Sequence, residues 1–375
     1  MHAELNDLTN NAARYRNGKR YLWLIAFVTA FLPIASMLVY VETGFLAALC
    51  FPLIYFFVGM PLLDMLLGED PYNPSDDVMY RLEQDPYFRV LLFCIIPIYY
   101  LTFFAAVWVV GTYSPPLWAV LVFAVGVGTF HANSLTVGHE LGHKTNKVDQ
   151  WGAKISNALV GYGHFCIEHN RGHHVQVATP EDAASSRFGE SIYRFALREI
   201  PGGFVRGWHH EAERLKRKGH SVWSWRNDIL QGYAITLAIA AGLVVWFGPG
   251  VLPFIIVHHV VGWYGLTQAN YVEHYGLKRK KMENGRYEPC QPRHSWNTNH
   301  IYSNLATFHL QRHSDHHSNP LRPYQVLRNF PDLPRLPSGY PGCFVLAAIP
   351  PLWFRIMNPK VMAWANNDPS LINKG

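Results

Sequence analysis

The apolar residues of this chain come in blocks rather than at a helical or strand period. Uncharged, strongly hydrophobic runs cover residues 21–40, 44–63, 90–111, 117–137, 229–248 and 251–266. A helix needs about 20 such residues to cross about 30 Å of hydrocarbon, so the pattern predicts six membrane-spanning helices. The last run is short and contains His258 and His259, which leaves its limits the loosest. Three connections between runs, 41–43, 112–116 and 249–250, are mere turns, whereas 67–89, 138–228 and 267–375 are long, polar and rich in Pro and His. The expected fold is therefore all-α and integral to a membrane, with six transmembrane helices and a His-rich cap on one face. In order, the expected divisions are an N-terminal segment 1–20, helices 1–4 in 21–137, a first cap segment 138–228, helices 5–6 in 229–266, and a second cap segment 267–375. The fourth run continues into the cap without a breaker, so 117–143 reads as one helix. The apolar stretch 343–354 is too short to span and reads as a core or interfacial piece.

Charge adds orientation. Arg14, Arg16, Lys19 and Arg20 precede the first run, and none of the three short connections holds a Lys or Arg. The positive-inside rule then places both termini and the cap in the cytoplasm, under a cell inner membrane. The formal net charge of +6 follows from that bias, and no nucleic-acid motif accompanies it. The first 20 residues are polar and do not resemble a cleavable signal peptide. The five cysteines are scattered without a C-x-x-C pair, which argues against a disulfide framework and against a Cys₄ iron site.

The cap carries the candidate chemistry. Nine of the 20 histidines fall in four clusters: His139 and His143 in "GHELGHK", His169, His173 and His174 in "EHNRGHH", His274 in "NYVEHYG", and His313, His316 and His317 in "LQRHSDHH". Residues three or four apart share a helix face, so 139/143, 169/173 and 313/316/317 are positioned to chelate one metal or reach two adjacent ones. Nine imidazoles exceed a mononuclear site, and the ligand type by itself fits iron, copper, zinc or nickel. Glu140, Glu168, Asp182, Glu273 and Asp315 lie near the clusters in sequence. Metal-bound His usually donates its second N–H to such a group, so these five are expected behind the rings, with direct ligation as the alternative. His164 and His309 are further candidates for that supporting role. The other histidines, such as His131, His258 and His259, read as structural.

Together the boxes "HELGHK", "EHNRGHH", "LQRHSDHHS" and "NYVEHYGL", with six spans and "PLLDMLLGED" after the second, resemble the integral-membrane alkane monooxygenases, or alkane hydroxylases. These belong to the histidine-box membrane oxygenases, which also include fatty acid desaturases. The family forms are HELxHK, EHxxGHH, LQRHSDHHA and NYxEHYGL, and Ser318 in place of Ala is the one departure. The resemblance implies a non-haem di-iron centre, two iron ions held by the nine His, with O₂ as co-substrate. It implies terminal hydroxylation of medium- to long-chain n-alkanes to 1-alkanols. Electrons would come from a separate rubredoxin, itself reduced by an NADH-dependent reductase. Residues 45–63, with Ala47, Ala48, Phe51, Ile54, Tyr55, Phe56 and Phe57, are candidates for limiting how far an alkane penetrates. Lys216 and Arg217 with their neighbours, and Lys278 to Lys281, are candidate docking charges. The alternatives are a fatty acyl desaturase or lipid hydroxylase of the same class, an intramembrane zinc metalloprotease built on H-E-x-x-H, and a metal transporter.

Overall fold

The structure, a computed structural model, describes residues 19–375. The expected N-terminal segment 1–20, including Arg14 and Arg16, lies outside the described residues up to its last two. Six helices are long and apolar enough to cross a membrane: α1 (Arg20–Thr43), α2 (Leu46–Leu67), α3 (Pro86–Tyr113), α4 (Leu117–Gly142), α8 (Asp228–Phe247) and α9 (Pro249–His274). Between α4 and α8 lie α5 (Lys147–Ala158), the broken helix α6 (Phe165–Glu168, His169–His173 and His174–Gln176) and α7 (Ile192–Arg217). After α9 come α10 (His313–Ser318), α11 (Tyr340–Ala347) and α12 (Pro350–Trp364). The described residues form isolated bridges, such as Leu277 with Ile372, and no strand.

Two helices outrun the hydrophobic runs that predict them. The α9 helix continues through Gln268, Asn270 and Glu273 to His274, because these polar residues are buried against neighbouring elements rather than facing lipid. The α4 helix keeps helical backbone through Ala132, between His131 and Asn133, and ends at Gly142. Both therefore carry histidines beyond the same end of the bundle. The opposite end holds only tight turns, at Gly44, Ser114 and Gly248.

Inside hydrocarbon, helices gain little from hydrophobic burial and associate through close packing. The α4–α9 pair shows the requirement. A Cβ on Gly128 would stand 2.7 Å from the backbone oxygen of His258, so only glycine allows this approach. Backbone and side-chain polar groups must also find internal partners there. His131 Nδ1 lies 2.7 Å from His258 Nε2, and His258 Nδ1 lies 2.9 Å from His259 Nδ1, a chain of three imidazoles among Phe103, Phe254 and Tyr99. The outer face is apolar: on α8, Val245 and Trp246 are 88% and 82% exposed, which suits lipid and not water.

The polar end is tied to the spans by buried ions. Arg312, just before α10, is 1% exposed and donates to the carbonyl oxygens of Leu327 (2.7 Å), Asp70 (2.7 Å) and Tyr72 (3.2 Å). It links α10 to the segment following α2. Lys19 pairs with Asp70 and Arg20 with Asp85, joining the start of α1 to that segment and to the start of α3. The 343–354 stretch forms most of α11 and the start of α12, which meet at 117°. Cys343, Phe344 and Trp353 pack there with Tyr271 and Tyr275.

A buried carboxyl joins α7 to α9. Glu199 accepts from Thr267 Oγ1 (2.6 Å) and Asn270 Nδ2 (3.1 Å). Burial pushes it up to about 7; the two hydrogen bonds oppose this, while Glu168 and Asp182 add to it.

Two outcomes are expected. Arg312→Met strands three buried carbonyls, so it should cost roughly 2–4 kcal/mol and expose 319–328 to protease, read by thermal unfolding and limited proteolysis in detergent. Glu199 has a folded pKa above its unfolded value, so its contribution is full at low pH and fades as pH rises through about 7. The wild-type protein should lose thermal stability from about pH 5 to pH 7, and Glu199→Gln should flatten that slope.

Candidate metal centre

Four elements deliver the nine histidines to one place: α4 brings His139 and His143, α6 brings His169, His173 and His174, α9 brings His274, and α10 brings His313, His316 and His317. They form two groups. His139, His143, His169, His174 and His316 offer ring nitrogens all within 4.8 Å of one another, and His173, His274, His313 and His317 do the same. The groups abut, with the His174 and His317 ring centroids 4.5 Å apart.

The partition does not follow α-helical spacing in every box. His169–His173 is a π-helical turn, one residue wider than an α-turn. It brings His169 together with His174, their Nε2 atoms 3.0 Å apart, and sends His173 to the other group. The turn packs against Arg206 of α7, and a Cβ on Gly172 would fall 2.6 Å from Arg206 Nε. In α10, His313 and His317 are one α-turn apart and share a group, with Nε2 atoms at 2.8 Å, while His316 points to the other. One short helix thus straddles both groups.

The donor set fits metal ions. Two nitrogens about 2.1 Å from one ion stand about 3.0–3.4 Å apart for octahedral to tetrahedral angles. The facing Nε2 pairs His174–His316 and His173–His317 are 3.1 and 3.2 Å apart. Hydrogen bonding does not account for the rest: both ring nitrogens of His139 and of His274, and Nε2 of His143, are buried without a partner. Burial, and after it chiefly the repulsion of neighbouring rings, holds His143, His169, His174, His313, His316 and His317 well below the usual histidine range. Neutral rings have free lone pairs.

The five carboxylates play different parts. Asp182 Oδ2 accepts from His173 Nδ1 at 2.9 Å, the expected place behind a ring. Burial opposes charge on both, but their mutual attraction, with Arg206 beside the carboxylate, raises His173 and holds Asp182 below the usual range. Glu168 reaches no ring. It pairs with Arg206, whose Nη2 also donates to Asp182 Oδ1 at 2.8 Å, so the guanidinium joins two buried acids. Glu273 lies in front of a ring rather than behind it: its Oε2 is 3.2 Å from His313 Nε2, the nitrogen that faces His317. Tyr340 donates to its other oxygen at 2.6 Å. Asp315 and Glu140 depart from the expected role. Asp315 accepts from Arg322 and, at 2.8 Å, from the Arg328 backbone, securing the loop after α10. Glu140 accepts from the Tyr324 backbone at 3.3 Å and lines a charged cavity of about 700 Å³ with Lys144 and Arg322. The reason is helical geometry, since neighbours in sequence lie about 100° apart on a helix and an acid next to an inward His points elsewhere.

His164 and His309 also stay apart, bonded to Tyr233 Oη (2.8 Å) and the Tyr324 carbonyl (3.1 Å). Arg206 and Tyr340 are the residues that sequence reasoning misses; each is a lone residue far in sequence from the carboxylates it serves, and carries no local signal. On the span side of the rings a narrow cavity of about 20 Å³ is walled by Leu135, Thr136, Phe165, Leu266, Ala269 and Leu310, with Asn270 and Glu273. His139, His169 and His313 line it too. No residue of 45–63 is among its lining; Tyr55 and Phe56 instead pack against Phe130.

The comparisons agree with this arrangement. Residues 116–346 match the fatty acid desaturase family model. The alkane 1-monooxygenase of Ectopseudomonas oleovorans is 49% identical over 367 residues, 97% of this chain and 91% of the relative. Alkane 1-monooxygenase 1 of Alcanivorax borkumensis is 49% identical over 361 residues, 96% and 88% of the two chains. The xylene/toluene monooxygenase hydroxylase component of Pseudomonas putida is 30% identical over 233 residues, 62% and 61% of the two chains. With its histidine boxes gathered at the end of six apolar helices and near-half identity over nearly its whole length, the chain belongs to the alkane 1-monooxygenases, within the fatty acid desaturase family of membrane proteins.

Proposed function

We propose that the protein hydroxylates medium- to long-chain n-alkanes at the terminal carbon, using O₂ and two iron ions held by the nine histidines. The observation that carries this reading is the pair of buried imidazole groups abutting one another at the end of six apolar helices. The reaction is R–H + O₂ + 2 e⁻ + 2 H⁺ → R–OH + H₂O. Its electrons come from a rubredoxin reduced by an NADH-dependent reductase. The protein sits in the cell inner membrane with its histidine end in the cytoplasm, a reading supported by the turns of the other end, which lack Lys and Arg.

When bound, iron supplies the activation of O₂ that no side chain performs. The rest falls to the protein. An alkane has no polar handle, so each buried CH₂ contributes about 0.8 kcal/mol and the binding force grows with chain length. Leu135, Phe165, Leu266 and Leu310 form the apolar wall against which a terminal methyl would meet the ring cluster once the narrow space opens. Thr136 and Asn270, in the same walls, offer polar contacts to the new hydroxyl. Asp182 fixes the His173 ring through Nδ1 and leaves Nε2 for the metal. Buried acids offset charge that nine neutral ligands leave uncompensated, with Glu273 nearest the rings.

Purified protein should contain two irons per chain. His316→Gln and His173→Gln, one in each group, should each lower iron to about one and reduce turnover by at least 100-fold. Gly172→Ala should also release iron by displacing Arg206, while leaving the helical content unchanged. With ¹⁸O₂, an n-alkane should give 1-alkanol carrying one labelled oxygen; exclusively olefinic, unlabelled product would establish a desaturase instead.

A further inference from the structure

The α7 helix has two opposed faces. At about 100° per residue, Tyr193, Leu197, Phe204, Val205 and Trp208 fall on one arc of about 120°. Leu197 is 81% exposed, Tyr193, Phe204 and Val205 are exposed too, and Trp208 is half-buried. The opposite face is fixed to the protein. Glu199 accepts from Thr267 and Asn270 of α9, and Arg206 pairs with Glu168 and Asp182. A Cβ on Gly207 would stand 3.2 Å from the Glu168 Cβ. The helix therefore cannot roll to bury its apolar stripe.

The depth of α7 is set by what it touches. Thr267 and Asn270 lie just past the hydrophobic run 251–266. Near its other end, Glu211 accepts from the Asp228 backbone at 2.7 Å, where the run 229–248 begins. Both contacts mark the histidine end of the apolar spans, so α7 lies along the boundary between hydrocarbon and headgroups. Its stripe continues into the outer surface of the bundle. Tyr193 Oη donates to the Ala348 carbonyl at 2.7 Å, next to exposed Ile349, and Phe204 packs against Tyr233 of α8. The segment that follows α7 is aromatic and basic. Trp223 and Trp225 are 75% and 78% exposed, and Trp223 meets Trp208 with ring centroids 5.4 Å apart. Residues 212–226 hold five Lys or Arg and one acid, Glu213. Arg214 is engaged by Glu211 and Asp228, while Lys216, Arg217 and Lys218 are exposed.

We propose that α7 and residues 218–226 form an interfacial anchor that lies in the leaflet at the histidine end and binds the headgroups of anionic phospholipids. Tyr193, Leu197, Phe204 and Val205 enter the acyl boundary, Trp223 and Trp225 sit at headgroup depth, and Lys216, Arg217 and Lys218 meet the phosphates. Each part suits its depth: apolar side chains gain burial, indole favours the interface, and cations beside a span are drawn to anionic lipid. A water-soluble protein could use the cations, but it would have to pass the headgroups to cover a stripe that runs on into the surface of the spans.

The test uses the full-length, iron-loaded protein in nanodiscs, and its readout is independent of alkane chemistry. Tryptophan emission is quenched either by lipid brominated near the head of its acyl chains or by aqueous iodide. Leu197→Trp adds a reporter on the stripe, and subtraction of Trp223→Phe/Trp225→Phe isolates the signal of the following segment. Brominated phosphatidylcholine should quench the Leu197→Trp reporter about two-fold or more, with iodide having little effect. Brominated phosphatidylglycerol should quench Trp223 and Trp225 about three-fold more strongly per lipid than brominated phosphatidylcholine, and Lys216→Gln/Arg217→Gln/Lys218→Gln should erase that preference. Quenching of both sites by iodide alone would place this face in water and overturn the proposal. Protection from both quenchers would overturn it as well, by showing that another protein surface, such as a second copy of this chain, covers the stripe. Equal quenching by the two lipids in the wild type would remove the anionic site. If added rubredoxin shields Trp223 and Trp225 from bromolipid, and the charge variant loses that shielding, the cations belong to a protein partner and the proposal falls.

Discussion

Nine imidazoles buried within a few ångströms of one another form the constraint on which the rest of this structure depends. A ring nitrogen removed from water needs a partner, and here several have none in the protein. Such a cluster is costly unless cations occupy it, which is why ring spacing near 3 Å carries more weight than any single motif. The same burial disfavours protonation of rings such as His169 and His316 and leaves them competent as ligands, while His173 is held by Asp182.

Holding the rings in place requires order in the surrounding polar groups. Arg206 joins Glu168 to Asp182, and Asp182 orients His173. Arg312 and Asp315 do comparable work for α10, one against carbonyls after α2 and the other against the loop after α10. These are buried charges with several partners each, the condition under which a buried ion is tolerated. The centre is consequently built from residues spread over most of the chain, and the long polar segments serve to return them to two helix ends.

The bilayer imposes the second division of labour. The apolar helices give lipid-facing surface and a narrow cavity; their polar ends give the histidines and the charges. An apolar cavity and a cluster of imidazoles would conflict if mixed, because each tolerates a different dielectric environment. Extending α4 and α9 past the hydrophobic runs resolves this, placing Leu135 one turn from His139 and Leu266 two turns from His274.

Much of this was legible in the sequence. Long uncharged runs identified six helices because hydrocarbon thickness sets their length. Clustered His at helical spacing marked which rings would gather, and the structure brings all nine into two abutting groups. Four boxes in order indicated the family. Local sequence carries no record of contacts between distant segments, and those decided the remainder. The π-turn that pairs His169 with His174 packs its Gly172 closely on Arg206 from another helix. Glu140 and Asp315 turn from the rings because neighbours on a helix face different ways, while Glu273 turns toward one because Tyr340 lies opposite. Composition and spacing named the histidines; only the packing of α4, α6, α9 and α10 against one another decided which rings stand together, because that contact joins segments far apart in the chain.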